Sequence, residues 1–134
     1  NDIWKKMLDP SFDPLNIAYV EDRIDTEISN NAKIENIDFQ NDKISIKAKS
    51  SGSSFLVLSE VFYPLRWKVK INGNESKTLK VNNVIRGVIL NDGENNINFY
   101  YDKSSFNTGL LISIIAFIIS FIFIFYGKLI TRKK

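Results

Sequence analysis

Two places in the chain combine residue types that could do chemistry. In Asp9-Pro10-Ser11-Phe12-Asp13-Pro14, two carboxylates flank a hydroxyl. Such oxygens could hold a hard cation like Ca²⁺ weakly. Short acids beside Pro and Ser more often form and cap turns by accepting backbone N–H bonds, and that reading is preferred. The second place is the pair Glu60 and Arg86. Each sits inside an apolar run, SSFLVLSEVFY (53–63) and VIRGVIL (84–90). A buried charge is costly unless paired, so the two are natural partners in an ion pair or around a ligand. The competing reading puts each on an edge or a solvent-facing side.

Much chemistry is excluded. The chain has no His and no Cys. It therefore has no imidazole base, no Ser-His-Asp triad, no thiol nucleophile, no disulfide, and neither a His-ligated metal nor a zinc–thiolate site. The six glycines are scattered through turns and at the ends of an apolar segment, and none forms a phosphate-cradling loop. No catalytic residue, cofactor or metal site is expected. Asn74-Glu75-Ser76 matches a glycosylation sequon, which on a hairpin tip reads more simply as chance.

The elements that must position Glu60 and Arg86 read as strands. Residues 3–8, IWKKML, could form a short amphipathic helix with Ile3, Trp4, Met7 and Leu8 on one side, followed by the DPSFDP loop. NIAYV (16–20) reads as a first short strand; AKIENIDF (32–39) and DKISIKAK (42–49) follow, the latter alternating through Ile44, Ile46 and Ala48. The apolar run 53–63 reads as a central strand buried on both faces. RWKVKI (66–71) alternates, with Trp67, Val69 and Ile71 inward. Asn72-Gly73 and Asp92-Gly93 carry hairpin chemistry, with KTLKV (77–81), Asn82-Asn83, VIRGVIL (84–90) and ENNINFYY (94–101) between and after them. The pattern predicts a mainly β chain: an antiparallel, immunoglobulin-like β-sandwich of about seven strands, followed by one C-terminal transmembrane α-helix.

That helix is the strongest signal in the sequence. No charge occurs between Lys103 and Lys128, and Gly109–Gly127 reads GLLISIIAFIISFIFIFYG. As a helix, this stretch spans roughly 28 Å, close to the hydrocarbon thickness of a bilayer. A buried core helix would carry a polar face, and here the only polar side chains are Ser113, Ser120 and Tyr126. The small residues Gly109, Ser113, Ala116, Ser120 and Gly127 fall at about 0, 40, −20, 20 and 0° around the helix, a single narrow stripe. Such a stripe lets another helix approach closely, and serine hydroxyls can bond across the contact. The expected partners are the lipid bilayer and other transmembrane helices, of a parent protein or an oligomer.

The flanks predict orientation. Lys128, Arg132, Lys133 and Lys134 form a basic tail without an acid, which places that end in the cytoplasm and the bulk of the chain outside. Of 18 basic and 15 acidic residues, removing these four cations leaves 14 against 15, so the pI near 9.1 comes from the tail and does not point to nucleic acid. The expected organisation is an entry helix and loop (1–15), an extracytoplasmic β-domain (16–104), the membrane helix (105–127) and a cytoplasmic tail (128–134). Because the chain opens NDIWKKMLDP, without an apolar signal region, it reads as a piece of a longer precursor.

FLVLSEVFYP (55–64), WKVKING (67–73), VNNVIRGVIL (81–90), NDGENNINFYY (91–101) and SFNTGLLIS (105–113) together resemble, in order, the C-terminal end of YfhO-type bacterial membrane proteins. There an LSE-x-YYPGW strand leads to a VDG hairpin, a VNG-x-FRGV strand, a PAGEH turn, F-x-Y and SF-x-x-G entering the final membrane helix. FDPLNIAYVED resembles the segment that precedes this domain. Two departures stand out: Leu65-Arg66 replaces one Gly before Trp67, and Asn82-Asn83 replaces Asn-Gly. The matching positions Glu60, Tyr63, Trp67, Gly73, Arg86 and Gly87 are signature residues, of which Tyr63, Trp67, Gly73 and Gly87 read as structural.

The resemblance implies a polytopic bacterial cell-membrane protein similar to GT-C-type glycosyltransferases, which move a sugar from a polyprenyl-phosphate donor onto cell-surface polymers. Their catalytic acid lies in a loop near the N-terminal helices, and nothing here matches it. This chain would then be a non-catalytic extracytoplasmic module that covers the active-site mouth or guides a cell-surface glycopolymer. A self-standing, membrane-anchored β-sandwich for adhesion or assembly is the alternative.

Overall fold

The computed structural model describes residues 2–29 and 31–131, with side chains up to Tyr126. The expected tail falls at that margin: Arg132, Lys133 and Lys134 lie outside the described residues, as do the surroundings of Gly127 and Lys128. The chain divides into two compact units, residues 1–101 and 102–134.

The first unit runs α1 (Ile3–Met7), β1 (Ala32–Phe39), β2 (Lys43–Ser50), β3 (Ser54–Val61), β4 (Trp67–Ile71), β5 (Asn74–Ser76), β6 (Leu79–Val81), β7 (Ile85–Leu90) and β8 (Gly93–Tyr101). These strands form a five-stranded sheet, β1-β2-β8-β4-β5, and a three-stranded sheet, β3-β7-β6, with every pairing antiparallel. The alternation read in the sequence is the core. Ile44, Ile46 and Ala48 of β2, Val69 and Ile71 of β4, and Ile97 and Phe99 of β8 pack against Leu58, Val88 and Leu90 of the smaller sheet. Side chains of period two can bury one face only if each strand keeps its register, and turn chemistry fixes that register here. Asn72 (φ 52°) and Gly73 (φ 85°) make the left-handed turn that the β4–β5 hairpin requires. Asn72 also ties this turn to β8: its amide nitrogen donates to the Glu94 carbonyl at 3.0 Å, and its side-chain oxygen accepts from Asn96 N at 2.8 Å.

In β1 the apolar residues Ile34, Ile37 and Phe39 are spaced three and then two apart, which no regular strand places on one face. A bulge between Ile34 and Asn36 absorbs the extra residue, so all three sit opposite Ala48, Ile46 and Ile44, on the core side of the sheet.

Several expectations are corrected. The run 53–63 is not a central strand buried on both faces. β3 is an edge strand of the three-stranded sheet, with Val57 and Val61 exposed; the central, doubly covered strand is β7. An apolar run fixes burial but not sheet position, and the outer face of β3 is partly covered by irregular chain instead of a further layer. Residues 16–20 are not a strand: only Val20 makes a bridge, to Val81. From there the chain crosses the outer side of the small sheet. Tyr19 and Asn82 exchange two 2.8 Å bonds, Tyr19 N to Asn82 Oδ1 and Asn82 N to Tyr19 O, and Ser29 N reaches the Ser53 carbonyl at 2.8 Å. Lys80–Glu21 and Lys77–Asp22, both at 3.0 Å, add ion pairs along the path. The expected strand 77–81 is shorter, with β5 preceding it, which makes eight strands among the described residues. In α1 only Ile3 is buried; Trp4 and Leu8 are exposed.

The second unit is α2 (Ser104–Thr131). Asp102 Oδ1 accepts the Ser104 N–H at 2.9 Å, satisfying a donor at the helix start. Ser104–Tyr126, 23 residues, is long and apolar enough to cross a membrane. Within α2, Ser113 Oγ donates to the Gly109 carbonyl and Ser120 Oγ to the Ala116 carbonyl, each at 2.9 Å; Phe121 stacks on Phe125 and meets Phe117 at a tilt.

Candidate functional site

The charged pair singled out in the sequence is brought together at one end of the sandwich. Arg86 lies on β7 opposite Leu58 of β3 and Lys80 of β6, and its side chain points inward with those of Val88 and Leu90. It is 1% exposed. Its guanidinium carbon sits 4.5 Å from the centre of the Trp67 ring and 5.2 Å from that of Phe99, both supplied by the facing sheet. A weakly hydrated planar cation over aromatic faces gains quadrupole attraction in place of water. Trp67 is in turn met edge-on by Tyr101, its cross-strand neighbour, at 5.9 Å.

Glu60 reaches Arg86 from an irregularity in β3. The pairing of β3 with β7 jumps from Leu58↔Arg86 to Val61↔Ile85, leaving Ser59 and Glu60 as extra residues at the rim. The Glu60 carboxylate stays 48% exposed and lies 3.6 Å from Nη2 of Arg86. The pair is therefore asymmetric, with a sealed cation and a carboxylate half in water. Arg86 Nε and Nη1 have no hydrogen-bond partner among the described residues. Burial pushes the guanidinium below its ordinary range, and the Glu60 charge works against that shift.

The remaining sequence candidates are structural in their surroundings. Tyr63 is exposed at the turn after β3, where its carbonyl accepts from Arg66 N and Trp67 N. This turn accommodates the extra residue in Leu65-Arg66 and still delivers Trp67 into register with Tyr101. Gly87 is buried on the outer side of β7, where the Phe55 ring lies directly over it: a Cβ would come within 2.6 Å of Phe55 Cζ and 2.9 Å of the Leu56 carbonyl oxygen. Asn82 and Asn83 (φ 48° and 63°) both take left-handed backbone, so Asn83 adopts the conformation that a Gly supplies in the resembling pattern. Asp9 accepts from Ser11 N and Oγ, and Asp13 from Leu15 N and Asn16 Nδ2. These bonds hold both carboxylates below the usual range, the side-chain bond being the larger cause in each case. Among the described residues, no group of three or more His, Cys, Asp or Glu side chains could hold a metal ion.

Two groups were missed in the sequence. Phe99 shares the guanidinium with Trp67, and the alternation Ile97, Phe99, Tyr101 was the available signal. Asn95, 1% exposed, accepts from Asn91 N and donates to the Asn91 and Gly93 carbonyls; no pattern distinguishes it from the exposed asparagines around it.

No curated protein and no solved structure matches the chain. A family model described as bacterial membrane protein YfhO matches residues 6–113, a span that contains the whole sandwich, the Glu60–Arg86 pair and the first turns of α2. The chain belongs to the YfhO family of bacterial membrane proteins.

Proposed function

We propose that this chain is the extracytoplasmic β-domain and last membrane helix of a larger protein that transfers sugar from a polyprenyl-phosphate donor to a cell-surface polymer, and that it does not itself catalyse the transfer. The observation that carries this reading is the junction between the two units. β8 ends at Tyr101, and only Asp102 and Lys103 separate it from an apolar helix long enough to cross a bilayer. A folded domain on so short a connection stays at the membrane surface, where it can cover or feed a site formed by other helices. The basic residues beyond the helix support a cytoplasmic tail, and hence an outside domain. Support for a non-catalytic role comes from the chemistry present. The chain has no His or Cys, and among the described residues the one strongly buried ionisable group is a guanidinium packed on aromatic rings.

Two experiments test this. The chain has no Cys, so single-cysteine variants report cleanly. K68C should react with an impermeant maleimide in intact cells, and K134C only after permeabilisation; the reverse pattern overturns the orientation. In the parent protein, deletion of residues 16–102 should lower glycosylation while leaving donor binding in place. Full glycosylation after deletion would remove the proposed role.

A further inference from the structure

The outer face of the five-stranded sheet carries six lysines. The registers place Lys33 of β1, Lys43, Lys47 and Lys49 of β2, and Lys68 and Lys70 of β4 on the face opposite the core residues Ile44, Ile46, Ala48, Val69 and Ile71. Lys33 stands directly across from Lys49, a like-charge pairing that Glu94, on the other side of Lys49, only partly offsets. Lys43, Tyr100 and Lys68 form one row across three adjacent strands. Lys70 lies over the Tyr100 ring at 5.6 Å, and Lys68 Nζ donates to the Pro64 carbonyl at 2.8 Å. Among the described residues none of the six forms an ion pair; the ion pairs of the first unit lie elsewhere.

The acids on this face are Asp38, Glu75 and Glu94, paired in register with Ser45, Lys70 and Lys49, and Glu35, the extra residue of the β1 bulge, beside Lys33 and Lys49. Six cations against four anions leave the face at +2. Residues 1–101 as a whole hold 13 basic and 14 acidic residues, a net charge of −1, so the rest of the unit carries −3. The acids of EDRIDTE (21–27), the segment that crosses the outer side of the other sheet, are by contrast mostly paired, with Lys80, Lys77 and Arg23.

We infer that the lysine face is a docking surface for an anionic phospholipid bilayer. Five strands side by side make an open surface about 20 Å across, which suits a layer of headgroups better than a single polymer strand in a cleft. Only Tyr101, Asp102 and Lys103 separate Tyr100 from Ser104, the first residue of the membrane helix, so the bilayer is always within reach. Tyr100, set among lysines, has the mixed apolar and polar character favoured at the membrane–water interface. Lysines near a charged bilayer gain attraction that falls off within a screening length.

The test uses the full chain in lipid nanodiscs. Lysine acetylation rates are read by mass spectrometry in zwitterionic discs and in discs roughly one-third of whose lipids are phosphatidylglycerol. Lys43, Lys47, Lys49 and Lys68 should react about fivefold more slowly in the anionic discs, with Lys77 unchanged, and the difference should vanish in roughly 0.5 M salt as the screening length falls below about 5 Å. The double variant K43E/K68E, with unchanged thermal unfolding, should lose the protection of Lys47 and Lys49. Equal reactivity in the two bilayers overturns the inference. So does protection by soluble polyphosphate with none from the anionic lipid, which would assign the face to a polymer.

Discussion

Glu60 Oε2 lies 3.6 Å from Arg86 Nη2, yet the guanidinium is sealed in and the carboxylate is half in water. In such a pair most of the electrostatic cost falls on the buried partner and little of the gain is protected from solvent. Removing the carboxylate should therefore be mild: Glu60→Gln is expected to cost about 1 kcal/mol. Removing the cation while keeping its volume should be neutral or favourable, so Arg86→Met should unfold within about 1 kcal/mol of the unaltered chain or above it. Arg86→Ala, which empties the space over Trp67 and Phe99, should cost about 3 kcal/mol. Thermal unfolding followed by tryptophan fluorescence checks all three. A large loss for Arg86→Met would mean that the unused Nε and Nη1 donors have partners in the working protein.

Gly87 and Phe55 give a sharper steric test. The added methyl of Gly87→Ala would meet both an aromatic ring and a backbone oxygen, and the backbone cannot rotate away. The expected loss is about 2–3 kcal/mol. In the double variant Gly87→Ala/Phe55→Leu, relief of the ring contact should return part of it, because neighbours that share one clash are not additive. Equal losses in the single and double variants would show that the Leu56 carbonyl alone sets the limit.

How much of this could be read from residues alone depended on range. The helix from Ser104 needed only composition, and the inward faces of β2, β4 and β8 needed only alternation. The Asn72-Gly73 turn was legible because its backbone conformation selects those residues. Glu60 and Arg86 stood out because a charge inside an apolar run demands a partner, but which of the two is buried depends on the slip in register after Leu58, a property of the assembled sheets. The position of β3 was misread for the same reason: Leu56, Val57 and Leu58 are equally apolar whether covered by a strand or by residues 20–29. The attachment of that segment through Tyr19 and Asn82, 63 residues apart, leaves no periodic trace.

The DPSFDP loop yields a pH prediction. Asp9 and Asp13 both titrate below the ordinary aspartate value of 3.8, because each carboxylate accepts one side-chain and one backbone bond. A folded value below the unfolded one means that the loop gains from these bonds above the ordinary range and loses the gain as pH falls through the lowered values. Carboxyl chemical shifts of the two residues should report midpoints below 3.8. Ser11→Ala should move Asp9 back upward without moving Asp13, and Asn16→Ala should do the converse. A shared response to both substitutions would indicate coupling of the two carboxylates, as around a bound cation.

The stripe on α2 can be tested separately from the sandwich. Gly109, Ser113, Ala116 and Ser120 leave a shallow side on an otherwise bulky helix, and both serine hydroxyls are already bonded to carbonyls one turn back within α2. The stripe therefore offers close approach more than unspent hydrogen bonds, a change from the expectation that the serines bond across the contact. On this view size, and not polarity, decides association. Ser113→Ala should leave assembly on a native gel intact, while Ser113→Phe with Ala116→Phe should disrupt it, raising the concentration needed for assembly about tenfold for each 1.4 kcal/mol of overpacking. Phe117→Leu, next to the stripe but off it, is the control and should leave the gel unchanged. Loss of assembly on Ser113→Ala would restore the hydroxyl as the contact, and assembly that survives both phenylalanines would mean that this side of the helix faces lipid.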